Sequence, residues 1–332
     1  MNSRTRGFLV SSTAIVVVGL GVGLLAYYGA GAPPRASAVG PAELAYVPLD
    51  ASAVAYANVR GIMNSEFRQR LQQVLPTGEE RDKIETELGI NFERDIDTLV
   101  AGLSIGGPTA QESGVVLVRG RINFTHIEGK ALEHGAVAEE YRGKRLYVTA
   151  NPGDRDHPES RPGFALLEGD LVGIGPIDGL RRAIDAAASS QNVTGNPDMM
   201  RFISQLDSAS DAWIVGKFDA VSQSASLPAE VRDRIPPVQW VSASARMNGG
   251  LAGTLNAETR DDQSGDQLRD VVRGALAAAQ LMTGQDPRLD ALVKSVQVQG
   301  VGKTVTVTFN VPVELLDIIN GLAAAKRLSS GR

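Results

Sequence analysis

Gly102-Leu103-Ser104-Ile105-Gly106 has the G-x-S-x-G spacing that can present a serine nucleophile. That chemistry needs a strand before the serine and a helix directly after it, so that the hydroxyl sits on a sharp elbow. Here Gly107-Pro108 and a short polar loop follow, with no room for a helix before the apolar run that starts at Val115. The spacing therefore favours a strand end with a small inward residue. Ser104 is kept only as the nucleophile of an alternative hydrolase reading. Gly302-Lys303-Thr304 resembles the tail of a phosphate-binding loop. That loop requires a glycine at 297, where Gln297 stands, and a helix after Thr304, where a strand pattern follows instead. A hairpin turn is expected there.

His126, His134 and His157 are the only imidazoles. The first two are eight residues apart, roughly 80° around a helix, which suits them poorly to share a metal. Surface positions are expected for them. Asp154-Arg155-Asp156 begins like a calcium loop, but Pro158 occupies the third ligand position and the glycine is absent. Asp95 and Asp97 could form a carboxylate pair, although capping and turn roles account for both residues more simply. Asn123-Phe124-Thr125 and Asn192-Val193-Thr194 match the glycosylation pattern. No residue is assigned as catalytic, cofactor-binding or metal-ligating, and no cofactor is expected. Whether the chain is an enzyme stays open, with the weight on a non-enzymatic role.

The elements that would hold any site begin with Phe8–Tyr28, FLVSSTAIVVVGLGVGLLAYY, 21 residues without a charge. As a helix it spans about 30 Å, the thickness of a bilayer's hydrocarbon core. Arg4 and Arg6 precede it, and no acidic residue appears before Glu43. Positive charge stays on the cytoplasmic side. A single-pass inner-membrane anchor is expected, with a cytoplasmic N-terminus and a periplasmic or extracellular body. Tyr27 and Tyr28 fall where an interfacial aromatic belt belongs. Ala36-Ser37-Ala38 leaves cleavage of a signal peptide as the alternative, although the apolar run is longer than such peptides use. Gly19 and Gly23 form a G-x-x-x-G, and in a segment this rich in small residues chance accounts for it.

With Arg4 and Arg6 set aside, 31 basic residues face 38 acidic ones, a net charge of −7 on the body. That argues against a nucleic-acid partner and against a polybasic membrane patch. The absence of cysteine excludes a disulfide framework, a thiolate metal site, a catalytic cysteine and a lipidated-cysteine anchor.

Along the body, hairpins separated by helices indicate an α+β fold, an antiparallel sheet covered by helices. Strands are expected at 53–59, 99–105, 115–121, 141–150 and 164–174, and again at 212–218, 240–247, 251–259, 295–299 and 304–311. Turn signals at Glu168-Gly169-Asp170, Asn248-Gly249-Gly250 and Gly300–Gly302 punctuate them. Helices are expected from Asn64 or Ser65 to Leu75, and at 79–88, 124–134, 177–189, 199–206, 267–282, 287–293 and 312–328. The helix at 267–282 carries Leu268, Val271, Val272, Ala275, Leu276 and Ala279 on one inward stripe.

An internal repeat is suggested at an offset of 157, with Leu49-Asp50-Ala51-Ser52 against Leu206-Asp207-Ser208-Ala209 and Ala55-Tyr56 against Ala212-Trp213. Tyr56 and Trp213 should then occupy matching buried positions. The expected organisation is a stub and anchor at 1–28, a Pro/Gly/Ala linker at 29–42, and repeated α+β halves at 43–204 and 205–332.

Three segments carry a resemblance. They are the opening strand Leu49–Tyr56, the turn Leu88–Asp97, and the join Gly173–Asp185 (GIGPIDGLRRAID). In these the chain resembles a group of bacterial membrane-anchored envelope proteins of unknown function. The resemblance implies an anchor and an envelope location, and no activity, cofactor or catalytic residue. The expected partners are the lipid bilayer through 8–28 and either another envelope protein or an apolar ligand. A non-enzymatic binding or structural role leads; the Ser104 hydrolase and a carrier or sensor of an apolar ligand are the alternatives.

Overall fold

The computed structural model describes residues 40–66, 68, 85, 89–105, 113–148, 161–224, 235–247, 249–283 and 287–312. The expected span at 8–28, most of its linker, most of the expected helices ending at Leu75 and at 79–88, Asp154–Asp156, His157 and the final helix beyond Pro312 lie outside them. Among the described residues no helix is long and apolar enough to cross a membrane. The fold is α+β, with antiparallel sheet and helices, and the chain forms two bodies. One is built from residues 40–61 and 85–206, the other chiefly from 207–312.

In the first body, β1 (Ala53–Ala57) leads into α1 (Val59–Met63). The expected strand ends two residues early because Asn58 accepts a hydrogen bond from Gly61 N at 3.0 Å and so caps the helix. Next come α2 (Phe92–Asp95), β2 (Ile96–Ser104), β3 (Ser113–Gly120) and α3 (Phe124–Glu133). They are followed by β4 (Val137–Tyr141), β5 (Lys144–Val148), β6 (Pro162–Glu168) and β7 (Leu171–Pro176). The body closes with α4 (Ile177–Ser189) and α5 (Pro197–Ser204). Its strands pair in the order β1-β2-β3-β7-β6-β5-β4.

The core lies on one face of that sheet. Register places Tyr56, Val100, Leu117, Gly173, Ala165 and Leu146 in one cross-strand row. Helix α4 covers that face: a Cβ on Gly173 would stand 3.0 Å from Leu180 Cδ2. Val100, Leu117, Leu146 and Leu180 are all fully buried. Each such side chain contributes about 1.5–3 kcal/mol by leaving water. The neighbouring row shows the opposite face: Ala101, Val116 and Phe164 are half-buried and Ile174 is 47% exposed, whereas Tyr147 is buried.

The second body has β8 (Ala212–Lys217), α6 (Phe218–Ser224), β9 (Val238–Arg246), β10 (Gly250–Thr259), α7 (Asp262–Thr283), α8 (Pro287–Ser295), β11 (Gln297–Gln299) and β12 (Thr304–Pro312). Its strands pair β8-β9-β10-β12-β11. The hairpin turns expected at Gly249 and at Gly300–Gly302 are where the chain reverses.

Two expectations are corrected here. Helix α7 starts at Asp262, five residues early, because Asp261 Oδ1 accepts from Ser264 N at 2.8 Å and from Ser264 Oγ at 2.7 Å. Of its expected stripe Leu268 is buried, Val272, Leu276 and Ala279 are half-buried, and Val271 (44%) and Ala275 are exposed, so the covered side is narrower than the periodicity indicates. The second correction concerns Tyr56 and Trp213. Trp213 is buried and stands in a row with Ser244, Thr254 and Thr308. Tyr56 is half-buried in the apolar row above. With the strand exits Pro176 and Pro312 taken as corresponding, Tyr56 aligns with Ala212, one residue short of Trp213. A slip of one residue moves a side chain to the other face of a sheet.

Candidate functional site

Among the described residues, those singled out for chemistry do not meet. Ser104 is buried at the end of β2 and pairs with Ser113 at the start of the antiparallel β3. At the other end of the same two strands Ile96 pairs with Gly120, and α3 with His126 begins just beyond. Eight residues of strand, about 26 Å, separate the two ends. His134 is the C-cap residue of α3. Asp95 Oδ2 accepts from Asn91 N at 2.8 Å while Asn91 Oδ1 accepts from Arg94 N at 3.0 Å, a reciprocal cap on α2. Asp97 pairs instead with Arg60. The two aspartates thus hold separate partners. Asn123 and Asn192, the residues of the glycosylation patterns, both cap helical turns. Gly302-Lys303 lies in the β11–β12 turn. Among the described residues no group of three or more His, Asp or Glu is placed to hold a metal.

The site that sequence reading missed is a cavity of about 520 Å³ on the open face of the first body's sheet. Its floor is Tyr147 on β5 with Phe164 and Leu166 on β6. The Tyr147 and Phe164 rings stack at 4.8 Å, as their cross-strand pairing dictates. Phe124 and Glu128 of α3 form one wall. The hairpin turns at Gly143 and Gly169 close the ends, with Lys144, Arg145 and Glu168 beside them. No residue of α3 is fully buried, so this helix lies over the apolar floor without filling it. One carboxylate ties it to β5. Glu128 Oε1 accepts from Tyr147 Oη at 2.5 Å and from Arg145 Nη1 at 3.2 Å. Burial, and then that bond to Glu128, raise the Tyr147 phenol above its ordinary value. Lys144 Nζ donates to Leu167 O at 2.5 Å.

Behind the cavity, Glu168 joins a charged network. Tyr46 Oη donates to Glu168 Oε1 at 3.1 Å, and Arg119 reaches Glu168 at 3.4 Å, Asp170 at 2.5 Å and Glu43 at 2.6 Å. Thr98 Oγ1 also donates to Glu43, at 3.3 Å. Burial alone works against the Arg119 charge, but its bonds to Glu43 and Asp170 outweigh this and raise its affinity for the proton. The network ties the 3-10 turn Ala42–Tyr46 to the sheet. Every member has a partner, so its role is structural.

The signal that could have found the cavity is the β4–β5 hairpin. Arg142 and Gly143, at φ 49° and 75°, form the two-residue left-handed turn that joins tightly paired strands. No family model and no curated protein matches the chain. Among solved structures, crystal form I of TP0453 is similar at a TM-score of 0.45 and 11% identity, covering 87% of this chain and 99% of that one. Crystal form IV of TP0453 gives 0.46 and 10%, covering 85% and 97%.

Proposed function

We propose that the chain is a non-enzymatic binding protein of the cell envelope, held in the inner membrane by residues 8–28 with its two bodies outside. The observation that carries the binding reading is the cavity over Tyr147, Phe164 and Leu166. Its volume lies in the range of small-molecule sites, and an apolar floor with a few convergent polar groups is their usual composition. The hydrolase reading lacks support, because Ser104 is buried and lies a strand's length from the first turn of α3. The anchor reading rests on the uncharged segment behind Arg4 and Arg6. Protease added outside intact spheroplasts should digest the bodies and leave a membrane-held stub; protected bodies, or a mature chain beginning at Val39, would overturn it.

The two bodies are read as copies of one unit. The order β1-β2-β3-β7-β6 matches β8-β9-β10-β12-β11, antiparallel throughout. Strands β7 and β12 both end in proline. The sequences that follow, Ile177-Asp178-Gly179-Leu180 and Val313-Glu314-Leu315-Leu316, are alike in character.

A further inference from the structure

We propose that the cavity binds an amphiphile with one acidic head group, its apolar body over Tyr147, Phe164 and Leu166 and its head against the ammonium of Lys144. This rests on the binding reading above and adds the class of ligand. The apolar part follows from the floor. Phe164, Leu166 and Phe124, all half-buried, offer an apolar surface beneath a helix that buries none of its own residues, with the buried Tyr147 ring stacked on Phe164. Such a surface gains from covering by apolar area in proportion to the area removed from water.

The head group follows from the charges at the rim. Arg145 and Tyr147 both spend a donor on Glu128, and Glu168 accepts from Tyr46 and Arg119. Lys144 is the exception. It is half-buried, uses one of its three donors on a backbone carbonyl, and pairs with no carboxylate among the described residues. A cation beside an apolar floor with donors to spare fits a carboxylate or phosphate head. A neutral head would leave that charge without a counter-ion, and a basic head would be repelled by it.

The test uses the full chain in its own membranes with three photoactivatable probes: a diazirine-bearing hexadecanoic acid, the corresponding alcohol, and phosphatidylglycerol carrying the same chain. Adducts are mapped to peptides by mass spectrometry. The acid, the phospholipid or both should label peptides containing 124–128, 144–147 or 164–169. Labelling by only one of the two acidic probes supports the assignment and identifies a free fatty acid or a membrane lipid as the source. Lys144→Gln should lower acidic-probe labelling by about tenfold, the size of one charge-assisted hydrogen bond, and leave alcohol labelling unchanged. Lys144→Arg, which keeps the charge, should retain most of the labelling. If acid and alcohol label equally, or Lys144→Gln changes nothing, the head-group assignment falls while the binding reading stands. If no probe labels these peptides, both fall. Leu166→Trp, which fills the floor, should abolish labelling by all three; unchanged labelling places the adducts outside the cavity and overturns the site. Lys144→Gln removes a rim charge and no core contact, so its result does not depend on how well Leu166→Trp folds.

Discussion

The two bodies share a strand order and differ in how they are filled. In the first, β2 alternates buried and half-buried residues without a break from Ile96 to Ser104, and α4 seals the buried side with Leu180, Ala183 and Ile184. In the second, the corresponding strands hold mostly half-exposed residues. Leu255 is 45% exposed, and the long helix α7 is buried only near its start. The first body also adds the β4–β5 hairpin, and it is this addition that carries the cavity. Strand order follows from connection rules that tolerate many sequences. Among the described residues the second body has no counterpart of that hairpin, so the cavity belongs to an addition to the shared strand order.

The difference in filling can be sharpened by truncating the two aromatics that open the bodies. Trp213 is buried, and Trp213→Ala should cost about 3–5 kcal/mol in urea denaturation. Tyr56 is half-buried, so Tyr56→Ala should cost clearly less. Equal losses would mean the two residues are equivalent after all and that the one-residue slip in register has been misassigned.

A second break concerns charge. Glu43 is buried and its carboxylate depends on Arg119. Arg119→Met should cost about 3 kcal/mol, near the lower end for an orphaned buried charge because part of the guanidinium reaches solvent. The exposed pair Arg246–Asp207 of the second body serves as the control; Asp207→Asn should cost less than about 1 kcal/mol and lose even that in high salt. A small loss for Arg119→Met, abolished by salt, would show that water reaches Glu43 and that the first body is not closed around it.

Much of the strand pattern was legible because turn chemistry is local. Glu168-Gly169-Asp170 and Gly300–Gly302 mark reversals whatever surrounds them. The β4–β5 hairpin was not read, since Glu139, Glu140, Lys144 and Arg145 make a polar stretch in which the Arg142-Gly143 turn is the one clear signal. The stripe on α7 illustrates another limit. Periodicity says which residues share a side, and says nothing of whether a partner covers that side. The cavity was the least legible feature. Its two rings are 17 positions apart in sequence, and only the β5–β6 pairing makes them neighbours. The weight against Ser104 as a nucleophile, by contrast, came from a local signal, the Gly107-Pro108 that follows it where a helix would have to start.

The smallest expected effects are in pH dependence, and they have opposite signs in the two bodies. The Tyr46 phenol is pushed up to about 12, first by burial and then by the Glu168 carboxylate it donates to. Its unfolded value is about 10. The folded chain therefore holds this proton more tightly, and the resulting stability is fully present below pH 10 and lost as pH rises towards 12. Asp261, the cap of α7, is held at about 2, first by the hydrogen bonds from Ser264. The unfolded carboxylate titrates at about 3.9, so its contribution is present above that pH and lost as pH falls through about 2. Denaturation followed at pH 8 and pH 11 should show wild type losing more stability than Tyr46→Phe across that interval. Between pH 5 and pH 2 wild type should lose more than Asp261→Asn, which keeps a capping oxygen without the charge. Titrating groups that touch neither substituted side chain cancel in the difference; Glu168, which accepts from Tyr46, does not. If Asp261→Asn also flattened the alkaline limb, the two bodies would not be melting independently, and their comparison as separate units would have to be replaced by a single cooperative transition.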